Sequence, residues 1–201
     1  MALFRFGENV DGYSVRVLNE REVRAGAGIL FFFAMIVFMN AWLIGNFAPL
    51  KVFVVAFFVD FVIRVLVNPR FSPSLILGRF FVRNQEVEYV GAPQKRFAWM
   101  IGLVLSAFMI VWLVVLGNLG LANLIICFAC LMFLLFESAF GICIGCKIYP
   151  IITRQDPVLC AGGVCGIVKK EPIQEVNAIH AIVLLGFASL MILLVLTGVL
   201  V

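Results

Sequence analysis

An all-α, polytopic membrane helix bundle is the fold class this sequence predicts, and three observations predict it. Of the 201 residues, 64% are hydrophobic and 13% charged, where a soluble domain carries about 45–50% and about 25%. The mean hydropathy is +1.16. The apolar residues fall in runs of roughly 20, the length of helix that crosses a hydrocarbon core of about 30 Å. The alternation of a membrane β-barrel is absent, and in a bilayer each backbone amide must be satisfied within its own segment, so helices are expected.

Residues 1–26 read as a cytoplasmic amino-terminal segment. Its acidic residues Glu8, Asp11, Glu20 and Glu22, with no clean small-residue cleavage site after the first apolar run, argue against a signal peptide. Tyr13 to Leu18 alternates like a short strand, with Asp11-Gly12 as a turn. Asn19-Glu20-Arg21-Glu22 resembles a capping box, with Asn19 as N-cap and Glu22 reaching back.

Residues 27–201 read as a transmembrane helical domain of about five spans. They run from about Ala27 to Ile44, Leu50 to Val67, Phe97 to Leu116, Leu121 to Phe140 (with the helix continuing to Cys146), and Val176 to Val201. Basic residues decide the orientation. The leader has Arg5, Arg16, Arg21 and Arg24, and the first connection only Lys51. The second has Arg70, Arg79, Arg83, Lys95 and Arg96, the third none, and the fourth Lys147, Arg154, Lys169 and Lys170. That alternation of rich and poor places the amino terminus, the loop 68–96 and the cysteine-rich loop 141–175 on the cytoplasmic side. The carboxyl terminus then lies outside.

The fourth connection carries the chemistry-bearing residues. Cys143 and Cys146 form a C-x-x-C, followed by Cys160 and Cys165 in CAGGVC. Cytoplasmic thiols are kept reduced, so structural disulfides are not the first expectation there. The spacing lies near that of a zinc ribbon but is wider in its second half. Neighbouring Lys147, Arg154, Lys169 and Lys170 would lower a thiol pKa. The four cysteines are therefore candidate catalytic thiols, or alternatively ligands of a zinc or iron–sulfur site. Cys127 and Cys130, inside the fourth span, read as small apolar packing residues.

Intramembrane charge is costly and marks a second set of candidates. Asp60 and Arg64 stand at i and i+4, where a helix pairs opposite charges. They read as a self-neutralising pair or as a substrate-binding set for an anion. Glu137 is a proton carrier or a partner for Arg64. His180 is the single histidine, an interfacial hydrogen-bonding residue or an adjunct to the cysteine site. Asn40 and Asn123 read as interhelical hydrogen-bonding residues. In the loop 68–96, FSPSLILGRFFV reads as an interfacial helix with snorkelling Arg79 and Arg83, beside an anionic lipid leaflet. No phosphate-cradling loop, Ser-His-Asp set or nucleic-acid module is present in the sequence.

The blocks NEREVRA (19–25), VDFVIRV (59–65), NPRFSP (68–73), APQKRFAWMIGL (92–103) and FESAFGICIGCKIY (136–149) resemble a bacterial integral-membrane family catalogued as domain of unknown function 4395. The resemblance covers roughly residues 14 to 150, and FGICIGC is its most specific element. It implies a C-x-x-C after the fourth span, which is Cys143 and Cys146 here, and association with thioredoxin-like or sulfurtransferase partners.

Together these readings predict a bacterial inner-membrane protein whose cytoplasmic cysteines handle thiol or persulfide redox or sulfur transfer, alone or in a membrane complex. Two alternatives stand beside it. One is a non-catalytic subunit with a four-cysteine zinc or iron–sulfur knuckle that docks a partner. The other is a transporter of a small sulfur oxyanion using Asp60, Arg64 and Glu137.

Overall fold

The computed structural model describes residues 6–154, 158–159 and 178–197. The expectations for Cys160, Cys165 and the CAGGVC segment lie outside the described residues. The chain divides into two units, Met1–Cys165 and Gly166–Val201.

The first unit begins with a short strand, β1 (Val17–Asn19), which leads straight into helix α1 (Glu20–Met39). Helices α2 (Ala48–Val62) and α3 (Pro73–Val82) follow, then a second strand, β2 (Tyr89–Gly91). Helices α4 (Ala92–Met109), α5 (Leu121–Phe140) and α6 (Ile144–Thr153) complete the unit. The second unit contributes α7 (Ala178–Leu196), an apolar helix with His180 in its first turn. The fold class is all-α, and among the described residues a two-stranded antiparallel ribbon pairs Val17 with Gly91.

Local chemistry accounts for the boundaries. Asn19 is the N-cap of α1: its side chain accepts from the Arg21 backbone N–H and donates to Glu22 Oε1 at 3.2 Å. The Asp11-Gly12 turn forms as expected, closed by Tyr13 N–H on the Val10 carbonyl. The ribbon lies later than the alternation suggested, because Glu8 and Tyr89–Gly91 pair with Val17–Asn19 rather than with Tyr13. Helices α1, α2 and α4 each end in a π-helical turn, at Asn40–Ile44, Ile63–Val67 and Ile110–Val115.

Among the described residues three helices are long and apolar enough to cross a membrane: Glu20–Ile44, Ala92–Val115 and Leu121–Phe140. Large apolar side chains such as Phe32, Leu43, Val104 and Ile125 stand exposed on them, an outer surface suited to lipid rather than water. Helix α2 with its π-helical turn runs from Ala48 to Val67 and carries buried Asp60 and Arg64.

Helix α1 is central. Its face Val23, Ala27, Leu30 and Ala34 packs with Phe57, Phe61 and Val65 of the second helical stretch, Trp99 of α4 and Leu131 and Leu134 of α5. A smaller cluster, Ala41, Leu50, Val54, Met109 and Leu113, fills the far end. Helix α3 does more than lie at an interface. A Cβ at its Gly78 would come within 2.7 Å of the Glu22 carbonyl, so α3 rests directly on the α1 backbone. Its Arg79 does not snorkel: Nε and Nη2 clamp Glu22 Oε2 at 3.0 and 2.9 Å. That hydrogen bonding pushes the Arg79 guanidinium above its ordinary pKa. Arg83 lies over the Phe80 ring.

Asn40 and Asn123 bond locally rather than between helices. Asn40 donates to the Ile36 carbonyl one turn back, and Asn123 to the Asn118 carbonyl. Asn40 at the end of α1 finds the carbonyl one turn back, and Asn123 in the first turn of α5 reaches the chain just before its own helix.

Candidate functional site

The block FGICIGC becomes a helix–turn–helix corner in which each residue type has a task. Helix α5 stops at Phe140 because Gly141 takes φ 66°, a left-handed C-cap that a side chain would strain. Arg24 of α1 donates to the Ser138 and Ala139 carbonyls, serving the last turn of α5. The expected continuation of this helix to Cys146 is therefore corrected. The chain breaks at Gly141, and Cys143 opens a new helix as the N-cap of α6.

Cys143 Sγ accepts the Cys146 backbone N–H at 3.2 Å, and the two cysteines form a disulfide with Cα atoms 5.2 Å apart. Both are buried. Gly145, between them, presses α6 onto α4: a Cβ there would stand 2.5 Å from that of Ala98. The C-x-x-C is thus held against a neighbouring helix by its own glycine.

Two buried ionic clusters flank this corner. In the first, Arg64 bonds Asp60 Oδ2 at 2.7 Å and also donates to Ser74 Oγ. Asp60 Oδ1 accepts from Ser72 Oγ at 2.8 Å and from the Ser74 backbone N–H at 2.9 Å. The Phe61 and Trp99 rings lie against the guanidinium, 4.6 and 4.8 Å from centroid to Cζ. The i, i+4 pairing is as the sequence implied. Ser72 and Ser74 were not foreseen. They flank Pro73 at the start of α3, where the chain turns back across α2.

The second cluster was missed as a cluster. Lys95, counted in the sequence among loop cations, is 0% exposed in the first turn of α4. Its Nζ stands 2.8 Å from Glu20 Oε2 and 2.8 Å from Glu137 Oε1. The Glu20 contact is close enough for an ion pair without the alignment of a hydrogen bond. Glu20 Oε1 has no hydrogen-bond partner among the described residues. The partner of Glu137 is therefore Lys95, not Arg64. Pro93 in the first turn of α4 was the available signal, since it starts the helix early enough to set Lys95 one turn before buried Trp99.

A cavity of about 60 Å³ joins these parts. Its walls include Cys143, Glu137, Trp99 and, from within α5, Cys130. The Gly91 backbone N–H and the Gln94 side-chain amide hold the Leu159 carbonyl at 2.8 and 3.1 Å. The chain entering the CAGGVC segment thus departs from the start of α4, the helix on which α6 rests.

The structure brings together Cys143 with Cys146, and Asp60 with Arg64, and places Glu137 and Cys143 on the walls of one cavity. A four-cysteine cluster is not seen, since Cys160 and Cys165 lie outside the described residues. Among the described residues no group of three or more His, Cys, Asp or Glu side chains is placed to hold a metal ion.

The family model described as Domain of unknown function (DUF4395) matches residues 18–154. The chain belongs to that family. Neither a curated protein nor a solved structure matches it. The matched stretch of the DUF4395 chain runs from β1 to the end of α6, so it contains both ionic clusters and the C-x-x-C corner.

Proposed function

We propose that this DUF4395 protein is a membrane-embedded thiol–disulfide exchanger whose working pair is Cys143 and Cys146. One observation carries the reading: the two sulfurs are bonded at the N-terminus of a ten-residue helix, with the Cys146 N–H directed at Cys143 Sγ. A thiolate at that point is stabilised by the amide and by the helix dipole, which makes Cys143 the attacking sulfur of the reduced pair.

The reaction balances as two-electron exchange. A soluble dithiol carrier attacks the disulfide, a mixed disulfide forms, and the carrier's second thiol resolves it. The carrier leaves oxidised, and Cys143 and Cys146 gain two protons and two electrons. With five spans and the basic residues inside, the pair faces the cytoplasm of a bacterial inner membrane, within reach of thioredoxin-like or sulfurtransferase proteins. A persulfide on Cys143 is the sulfur-transfer form of the same chemistry. Arg64 is closed off by Asp60, Ser74 and two rings, so its role in this reading is to hold α2 and α3 together.

The test is differential alkylation of the full-length protein in detergent across a series of glutathione redox buffers. Cys143 and Cys146 are expected to become alkylated together in one two-electron transition, and Cys143→Ser is expected to abolish oxidation of a reduced thioredoxin-type carrier. Two thiols that ignore the redox buffer would overturn the reading. So would about one bound metal per chain with Cys143, Cys146, Cys160 and Cys165 all protected from alkylation.

A further inference from the structure

Where α1 begins, the chain encloses a larger cavity of about 490 Å³, within the span of roughly 300–1,000 Å³ usual for a ligand site. Its walls come from the leader, β1, the first turn of α1, the turn at 68–71 and α3, and three arginines line it: Arg16, Arg70 and Arg79. Their commitments differ. Arg79 spends Nε and Nη2 on Glu22, which neutralises that carboxylate. Arg70 has Glu8 at 3.6 Å, too far for a hydrogen bond, and the two side chains are 46% and 67% exposed. The Arg16 side chain makes no hydrogen bond or ion pair among the described residues. Asn68, also on the wall, accepts the Arg70 N–H at Oδ1, which leaves its amide NH2 to donate. Three guanidinium groups thus face two carboxylates, one of them already spent, and the walls offer more donors than they can use.

The surroundings point to the source of the missing anion. Helix α3 leaves Ile76, Leu77, Phe80 and Phe81 exposed, a spacing that sets them on one face. Its Arg79 is on the cavity wall. Exposed apolar side chains beside an arginine-lined cavity, at the start of a membrane-crossing helix, match the level where acyl chains give way to phosphates.

We propose that this cavity seats the phosphate of an anionic phospholipid headgroup, with Arg16 and Arg70 as its ligands. Arg70 exchanges its long contact with Glu8 for charge-assisted hydrogen bonds to the phosphate oxygens. Arg79 stays with Glu22 and keeps the wall in place, and the Asn68 amide donates to a headgroup oxygen. A phosphate held by both arginines bridges the leader to the turn that precedes α3. The site stands apart from the cysteine corner, and neither reading depends on the other.

Lipid titration of the full-length protein, delipidated in detergent and followed by native mass spectrometry, tests this. Dioleoyl phosphatidylglycerol is expected to bind at least roughly tenfold more tightly than the zwitterionic dioleoyl phosphatidylcholine. Arg16→Gln with Arg70→Gln is expected to weaken phosphatidylglycerol binding at least roughly tenfold. Arg83→Gln removes the same charge from the end of α3 outside the cavity, and is expected to leave binding within about twofold. Glu8→Gln is expected to tighten binding, because Arg70 loses its competitor. These four side chains are exposed, so none of the substitutions disturbs the packed interior. Equal binding of the two lipids would overturn the proposal, as would equal losses from Arg83→Gln and from the arginine pair, or weaker binding in Glu8→Gln. Glycerol 3-phosphate is the soluble probe. If it binds without lipid as tightly as phosphatidylglycerol does, the cavity takes a soluble phosphate ester and the lipid assignment falls.

Discussion

The two buried ionic clusters use similar side chains and reach opposite states of charge balance. Around Asp60 one carboxylate meets one guanidinium, and both carboxylate oxygens accept hydrogen bonds. Phe61 and Trp99 lie against the cation, whose Nε has no hydrogen-bond partner among the described residues. Around Lys95 one ammonium serves two carboxylates, and Glu20 Oε1 has no hydrogen-bond partner among the described residues. A balanced cluster with a fully bonded carboxylate fixes geometry and has no acid left to take a proton. A cluster with a surplus carboxylate has a place for one. The balanced cluster ties α2 to the start of α3, and the unbalanced one, through Glu137, borders the cavity that Cys143 also lines.

Substitutions that upset each charge balance break or sharpen this comparison. The largest effect is expected from Lys95→Met, which strands two buried carboxylates. A loss of about 4 kcal/mol, read as a lowered unfolding midpoint in detergent, matches the cost of breaking a buried pair from one side. Next comes Asp60→Ala, which leaves Arg64 uncompensated and is expected to cost about 3 kcal/mol. Adding Arg64→Met to it should recover most of that loss, and a failure to recover would show that more than charge balance is at stake. Ser72→Ala removes one hydrogen bond to a carboxylate that keeps its others, so about 1 kcal/mol is expected. Smallest is Glu20→Gln, which removes the surplus charge and leaves Lys95 paired with Glu137. A change within about 1 kcal/mol in either direction is expected, because the lost attraction to Lys95 is offset by no longer burying a surplus charge. Should Glu20→Gln cost as much as Lys95→Met, the picture of a surplus carboxylate is wrong.

The sequence disclosed these features unevenly. Length of apolar runs sets helix class, because a bilayer allows little else, and that reading holds. The i, i+4 spacing of Asp60 and Arg64 and the N-cap at Asn19 were equally legible, since both are interactions between near neighbours in the chain. The Lys95 cluster was not. Its members lie on three helices, and a lysine beside an arginine in a polar stretch looks like surface charge until the packing of α4 is known. The break at Gly141 was hidden for a different reason. A glycine in an apolar helix and a glycine ending one look alike in sequence, and only the φ of 66° distinguishes them. The cavity that Cys130 and Cys143 both line has its walls on α2, α4, α5 and α6, a meeting of helices that no local pattern encodes.

Helix α1 precedes in the chain the helices that satisfy its charged side chains. Its Glu20 waits for Lys95 of α4, and its Arg24 waits for the closing carbonyls of α5. During synthesis the early helices therefore enter the membrane with an acid and a base still seeking partners. A chain interrupted before α4 presents both, and one interrupted before α5 still presents the base. The polar partners of α1 are thus complete only once α5 is in place.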